Sequence, residues 1–261
     1  MRVRNLGILF LCIAVLLGTV ACSGGGVAPN GMTAAEILEM SNTASVNTVQ
    51  FSATIEYDLM GEAATMYMTG AADEINRETY MIITDPEMPD EDMPMYIIDD
   101  WTYTTDSNGD WIKTELTDDI WEESNTASQQ MGLMEGFSGA NYLGMENIGG
   151  FNCYKIDVDP NWDALFSAAD MTETEGLSNE EMIDMIKDSS CTAWVAENTY
   201  FPMQIFFSMT MELDMFGQQY SITTDMTMTF SNINQPVTIN LPAAATNATE
   251  ISYEDFMAGN Y

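Results

Sequence analysis

A mainly β, α+β fold is predicted by three observations: long runs that alternate apolar and polar residues, glycine-bearing turns between them, and only short stretches with helix-capping signals. The strongest run is Pro202–Phe230, which reads as one long β-hairpin. On its first arm Met203, Ile205, Phe207, Met209, Met211, Leu213 and Met215 are apolar, with Gln204, Ser208, Thr210, Glu212 and Asp214 between them. On the second, Tyr220, Ile222, Met226, Met228 and Phe230 alternate with Gln219, Ser221, Thr223, Asp225, Thr227 and Thr229. A period of two gives each arm one buried face. Gly217-Gln218 suits a two-residue type II′ turn. That register sets Met215 against Tyr220, Leu213 against Ile222, Met209 against Met226 and Phe207 against Met228. A slip of one residue would turn every apolar side chain to the other face. The buried face carries flexible methionines where Val and Ile are usual, which suits an adaptable wall around a non-polar ligand as well as a methionine-rich core.

The rest of the chain follows in order. Thr33-Ala34-Ala35-Glu36 is a capping box that opens a short helix with Ile37, Leu38 and Met40 available to pack. From Val49 the period becomes two, through Phe51, Ala53, Ile55, Tyr57 and Leu59. Further strands are expected at 64–71, 75–84, 95–98, 101–105 and 111–115, with a Pro-rich acidic loop from Asp85 to Pro94. A helical region is expected over about 117–135, then a break at Phe137-Ser138-Gly139. Strands at 142–147 and 151–158 flank the hairpin signal Ile148-Gly149-Gly150. Pro160 is expected to start a helix with Trp162, Leu165 and Phe166, and Ser178-Asn179-Glu180-Glu181 another with Met182, Ile183, Met185 and Ile186 on its inner side. Cys191–Ala196 is a strand, Val237–Leu241 a last apolar piece, and 242–261 a polar, weakly structured tail.

The N-terminus reads as an export signal. Arg2 and Arg4 precede an uncharged apolar run from Leu6 to Ala21, short for a membrane span, which needs about twenty residues. Thr19-Val20-Ala21-Cys22 resembles a relaxed lipobox, with Cys22 as the lipidated N-terminus, and Ser23-Gly24-Gly25-Gly26 as a flexible tether. The expected organisation is a signal over 1–21, lipidated cysteine and tether over 22–32, a domain over 33–241 and the tail over 242–261. The protein is then exported and held at the outer face of the cytoplasmic membrane.

Charge excludes one class of function. The chain has 6 basic and 41 acidic residues, no histidine, and a formal net charge of −35. Such a surface repels nucleic acid and anionic headgroups, and suits an exterior rich in screening cations. Without histidine there is neither Ser-His-Asp nor Cys-His catalysis, and no carboxylate pair stands out for glycoside hydrolysis. The expectation is a non-enzyme without cofactor. Asp106-x-Asn108-x-Asp110 has the alternate-oxygen spacing of a calcium loop, but Trp111 occupies the place of its glycine, and a hairpin turn explains the same residues. Cys153 and Cys191 are the two cysteines of the exported domain, and an oxidising exterior makes a disulfide between them the expectation; two buried free thiols are the other reading.

The order of these parts carries a resemblance. A capped helix and a strand meander lead to a tryptophan-bearing hairpin, Trp101-Thr102-Tyr103 to Gly109-Asp110-Trp111-Ile112-Lys113. A helical insertion follows, then the Gly149-Gly150 hairpin into Tyr154-Lys155-Ile156-Asp157-Val158, and long closing strands. Over about 33–241 this resembles the LolA/LppX-like lipoprotein carriers, in arrangement more than in any invariant motif. The resemblance implies a strongly curved, incomplete antiparallel β-barrel with helices plugging its open side over an apolar cavity. It also implies carriage of a lipid or lipoprotein without catalysis. The expected ligand is a hydrophobic small molecule or lipid held by Phe207, Met209, Met211, Leu213, Ile222, Met226 and Met228, with an envelope protein as a further partner. The alternative is a structural or interaction lipoprotein whose interior is filled by its own side chains; an extracellular hydrolase would need a polar cleft with perturbed carboxylates.

Overall fold

A computed structural model of the chain describes residues 26–59, 61–86, 92–116, 137–160, 162, 179–215 and 218–258. Twelve strands dominate it: β1 (Thr48–Leu59), β2 (Glu62–Asp73), β3 (Glu78–Thr84), β4 (Met93–Ile98), β5 (Trp101–Thr105), β6 (Trp111–Glu115), β7 (Phe137–Ile148), β8 (Phe151–Pro160), β9 (Ile186–Ala196), β10 (Pro202–Met215), β11 (Gln218–Ser231) and β12 (Thr249–Glu250). Helices α1 (Ala34–Asn42), α2 (Asn179–Met185) and α3 (Tyr253–Ala258) and a 3-10 turn at Ala243–Asn247 complete the described elements. Hydrogen bonding links the strands in the order β12-β6-β5-β4-β3-β2-β1-β11-β10-β9-β8-β7, so the sheet is open, with two ends. The mainly β expectation holds. The chain divides into two compact units.

One unit holds β3–β6, most of β1 and β2, and the chain from Phe230 onward. Phe51, Ala53 and Ile55 are buried on β1, as the alternation requires. Gly70 lies where a Cβ would overlap the Phe51 ring and the Tyr80 carbonyl, so no larger residue fits there without movement. Trp101–Thr105 and Trp111–Glu115 form the expected hairpin. Its turn is organised by Asp106, whose carboxylate accepts from the Asn108 and Asp110 backbone N–H groups at 2.8 and 2.9 Å. Those hydrogen bonds, Asp110 foremost, hold its carboxyl below the ordinary aspartate range, and they support the turn reading of this acidic motif. Val237 and Leu241 pack with Ile239 against Ala71, Tyr80, Tyr96 and Trp111.

The expected C-terminal tail is corrected here. Ala245 is fully buried, β12 pairs in parallel with Ile112 and Lys113 of β6, and the Ile251 N–H donates to the Lys113 carbonyl. Such short elements have no room for a period of two or 3.6 to show in the sequence.

The other unit holds α1, β7–β10, α2 and most of β11. The capping box of α1 forms as expected, with the Glu36 N–H on Thr33 Oγ1 and the Thr33 N–H on Glu36 Oε2. Ala34, Ile37, Leu38 and Ser41 are its buried residues, and α1 packs on β7 and β9. Gly149 and Gly150, both at positive φ, close the β7–β8 hairpin. β7 runs further than expected, from Phe137, and absorbs two register shifts against β8. Pro160 ends β8 instead of starting a helix, although Trp162 beyond it is helical. The expected helix over 117–135, and Leu165 and Phe166 of the next, lie outside the described residues, as does Cys22.

The Cys153–Cys191 disulfide is not formed; both are buried free thiols. Cys191 stands opposite Val158 and Cys153 opposite Ala196 in the β8–β9 ladder. The two cysteines are therefore five rungs apart, roughly 16 Å along the strands at the usual rise, where a disulfide needs Cα atoms within about 7 Å. An odd number of rungs also places them on opposite faces. Two cysteines on neighbouring strands carry no information about pairing until the register is known.

Candidate ligand-binding face

The central hairpin forms with the expected faces and a different register. Met215 pairs with Gln218, Leu213 with Tyr220, Met211 with Ile222, Met209 with Thr224, Phe207 with Met226 and Ile205 with Met228. Each partner lies two residues earlier on β11 than expected. A shift of two preserves every face, so apolar alternation cannot distinguish the registers. The opposite face does. There Ser208 Oγ donates to Asp225, and the Thr210 and Thr223 hydroxyls meet at 3.1 Å. These polar cross-strand pairs exist only in the observed register.

The seven residues expected to bind ligand, Phe207, Met209, Met211, Leu213, Ile222, Met226 and Met228, thus share one side of two paired strands. The face continues onto β9 and β8 through Ile205–Ala193–Ile156 and Phe207–Cys191–Val158. Met209 and Met228 are each 1% exposed, and Ile222 and Met226 are also buried. Phe207, Met211 and Leu213 are half-buried. The Trp162 indole stands edge-on to the Phe207 ring at 5.8 Å. Helix α2, with Met182 buried, packs on β9 and β10.

Thr224 was missed. It is the polar residue in the otherwise apolar or aromatic even-numbered series from Tyr220 to Phe230, and that interruption was the available signal. Its side chain is 4% exposed and its Oγ1 has no hydrogen-bond partner, whereas Thr223 beside it is paired across the other face. An unsatisfied buried hydroxyl costs about 1–3 kcal/mol. Ser41 on α1 and Thr114 on β6 are also buried without a partner, but Thr224 is the one set among the methionines.

One charged cluster of this unit lies on the opposite side of β8 and β9. Lys155 and Trp194 share Glu146, at 3.1 and 3.0 Å, on the side of β8 and β9 away from Ile156 and Ala193. The indole N–H and then the ammonium hold the Glu146 carboxyl below the ordinary glutamate range. Burial, with Asp157 adding, pushes the Cys191 thiol up to about 12, which makes it a small apolar side chain and not a nucleophile. Among the described residues no group of three or more His, Cys, Asp or Glu side chains could hold a metal ion. No described helix is long and apolar enough to cross a membrane.

Solved structures similar to this chain include three with TM-scores below 0.5. LprF from Mycobacterium bovis has a TM-score of 0.47 at 15% identity, over 84% of this chain and 100% of that one. Lipoprotein LppX from Mycobacterium tuberculosis has 0.43 at 16%, over 79% and 97%. A LolA superfamily protein from Nitrosomonas europaea has 0.29 at 11%, over 81% and 96%. No curated protein matches the chain. Residues 31–250 match the model of a family of unknown function, DUF6612, and the chain belongs to that family.

Proposed function

We propose that this is an exported, lipid-anchored, non-enzymatic protein that holds a hydrophobic ligand against the methionine-rich face of β10 and β11. The supporting observation is the collection of Phe207, Met209, Met211, Leu213, Ile222, Met226 and Met228 on one side of a hairpin whose other side is polar apart from Phe206. Methionine offers a pliable apolar surface that accommodates chains of varying shape. The half-barrel belongs to the same proposal: an open sheet around an apolar interior, with helices over the opening. Cys22 supplies the membrane attachment, and an envelope protein that delivers or receives the ligand is the natural partner.

A second reading has its own observation. Met209 and Met228 are sealed, and Trp162 lies on Phe207, so the protein's own side chains close much of this face. A structural or interaction lipoprotein with a filled core would look the same. Apolar photoprobes separate the two readings: a carrier is labelled on β10 or β11, a filled core is not. Anchoring is tested by Cys22→Ser, which should release the protein from membranes; an unmodified N-terminus beyond Cys22 in native protein would end that part of the proposal.

A further inference from the structure

Thr224 narrows the ligand class, on the assumption that the methionine-rich face binds ligand at all. Every other even-numbered position from Tyr220 to Phe230 is apolar or aromatic, and valine would match threonine in shape without bringing a hydroxyl. The hydroxyl is buried, unpaired and directly across the ladder from Met209, within a run of apolar rungs. A group in that position is satisfied by an oxygen that arrives with the ligand.

The charge of that oxygen is fixed by what the face lacks. Beyond residue 21 the chain has four cations, and each has a contact of its own. Lys155 pairs with Glu146, Lys113 lies over Trp101 and beside Glu250, Arg77 lies beside Asp100, and Lys187 donates to the Asp184 carbonyl. No described cation bonds the Thr224 hydroxyl, and a carboxylate or phosphate buried among methionines is costly in a chain already strongly negative. We infer that the ligand is a neutral, oxygen-bearing lipid, an acyl ester or long-chain alcohol, whose ester or hydroxyl oxygen hydrogen-bonds Thr224 Oγ1 while its hydrocarbon chain lies on the methionines. Fatty-acid anions and phospholipid headgroups are the ligands that this assignment disfavours.

The experiment uses the full chain with phosphatidylcholine vesicles that carry one of three diazirine probes: a monoacylglycerol, the corresponding fatty acid, or an alkane of equal length. Adducts are mapped by peptide mass spectrometry. The monoacylglycerol should label β10 and β11 of the wild type well above the fatty acid. Thr224→Val should reduce that labelling roughly fivefold, the scale of one net hydrogen bond, Thr224→Ser should restore it, and alkane labelling should be the same in all three proteins. Equal monoacylglycerol labelling of wild type and Thr224→Val, with the alkane still labelling the hairpin, overturns the neutral-oxygen assignment and leaves the ligand face standing. Labelling by the fatty acid at or above the monoacylglycerol also overturns it. Absence of every adduct from the hairpin overturns the ligand face itself. Loss of alkane labelling together with monoacylglycerol labelling in Thr224→Val would show that the hydroxyl supports the fold and not the ligand.

Discussion

Met209 and Thr224 face each other across the β10–β11 ladder, both sealed from water, and the threonine hydroxyl has no partner. The pair joins the most pliable apolar side chain to an unsatisfied polar one at the middle of the methionine-rich face. An oxygen that arrives with a ligand would satisfy that hydroxyl, and its effect on the pair is what separates a ligand wall from a filled core.

Met209→Ala should therefore behave in two ways. Without ligand the truncation should lower unfolding free energy by about 2–5 kcal/mol, as for other buried long side chains. A fitting apolar ligand should then recover part of the loss, about 2.7 kcal/mol at a hundredfold excess over Kd. Denaturant unfolding with and without added monoacylglycerol checks both. A loss that no apolar ligand recovers would favour the filled core.

Gly70 tests the packing of the other unit. A Cβ there overlaps the Phe51 ring and the Tyr80 carbonyl, so Gly70→Ala should cost about 1–3 kcal/mol or more through overpacking. Adding Phe51→Leu should recover part of this, because the ring is one of the two obstacles. Thermal unfolding of the single and double variants shows whether the double is the more stable.

The cysteines should behave as buried thiols. Cys153 and Cys191 should resist an aromatic disulfide reagent in the native state and both react on unfolding, since burial raises both thiols and only the thiolate attacks. Peptide maps under non-reducing conditions should contain no Cys153–Cys191 link. Such a link would require a different β8–β9 register.

Glu146 supplies a pH dependence whose sign is fixed. Its folded pKa is depressed by Trp194 and Lys155, so its contribution is present above the unfolded glutamate value and is lost as pH falls through the lower folded value. The difference in melting temperature between wild type and Glu146→Gln should shrink across that acidic window. Taking the difference removes the general relief of repulsion among the 41 acidic residues, which acts on both proteins. A gap that stays constant down to the acid limit would mean that the pair does not act through charge.

Much of the fold was legible because one face of each strand is buried. Trp101–Thr105 and Trp111–Glu115 were read to the residue, and the faces of β10 and β11 were read correctly. Features that alternation does not encode were not. The start of β9, Ile186–Ser190, is polar and largely exposed, so nothing marks it as strand. The hairpin register was displaced by two residues because the choice rests on the polar pairs Ser208–Asp225 and Thr210–Thr223. The candidate face was legible as a set of apolar side chains. Its polar member was not, since Thr223-Thr224 reads as two solvent-facing residues until strand parity is assigned to each.

The central claim is that this face holds a lipid, and organic extraction of the protein purified from its own membranes tests it most directly. Mass spectrometry of the extract should recover a neutral acyl ester or long-chain alcohol in near-stoichiometric amount, reduced in Thr224→Val and retained in Thr224→Ser. An extract with no lipid beyond the acyl chains on Cys22, from protein that also takes up no apolar probe, would contradict the claim and leave a structural lipoprotein with a methionine-filled core.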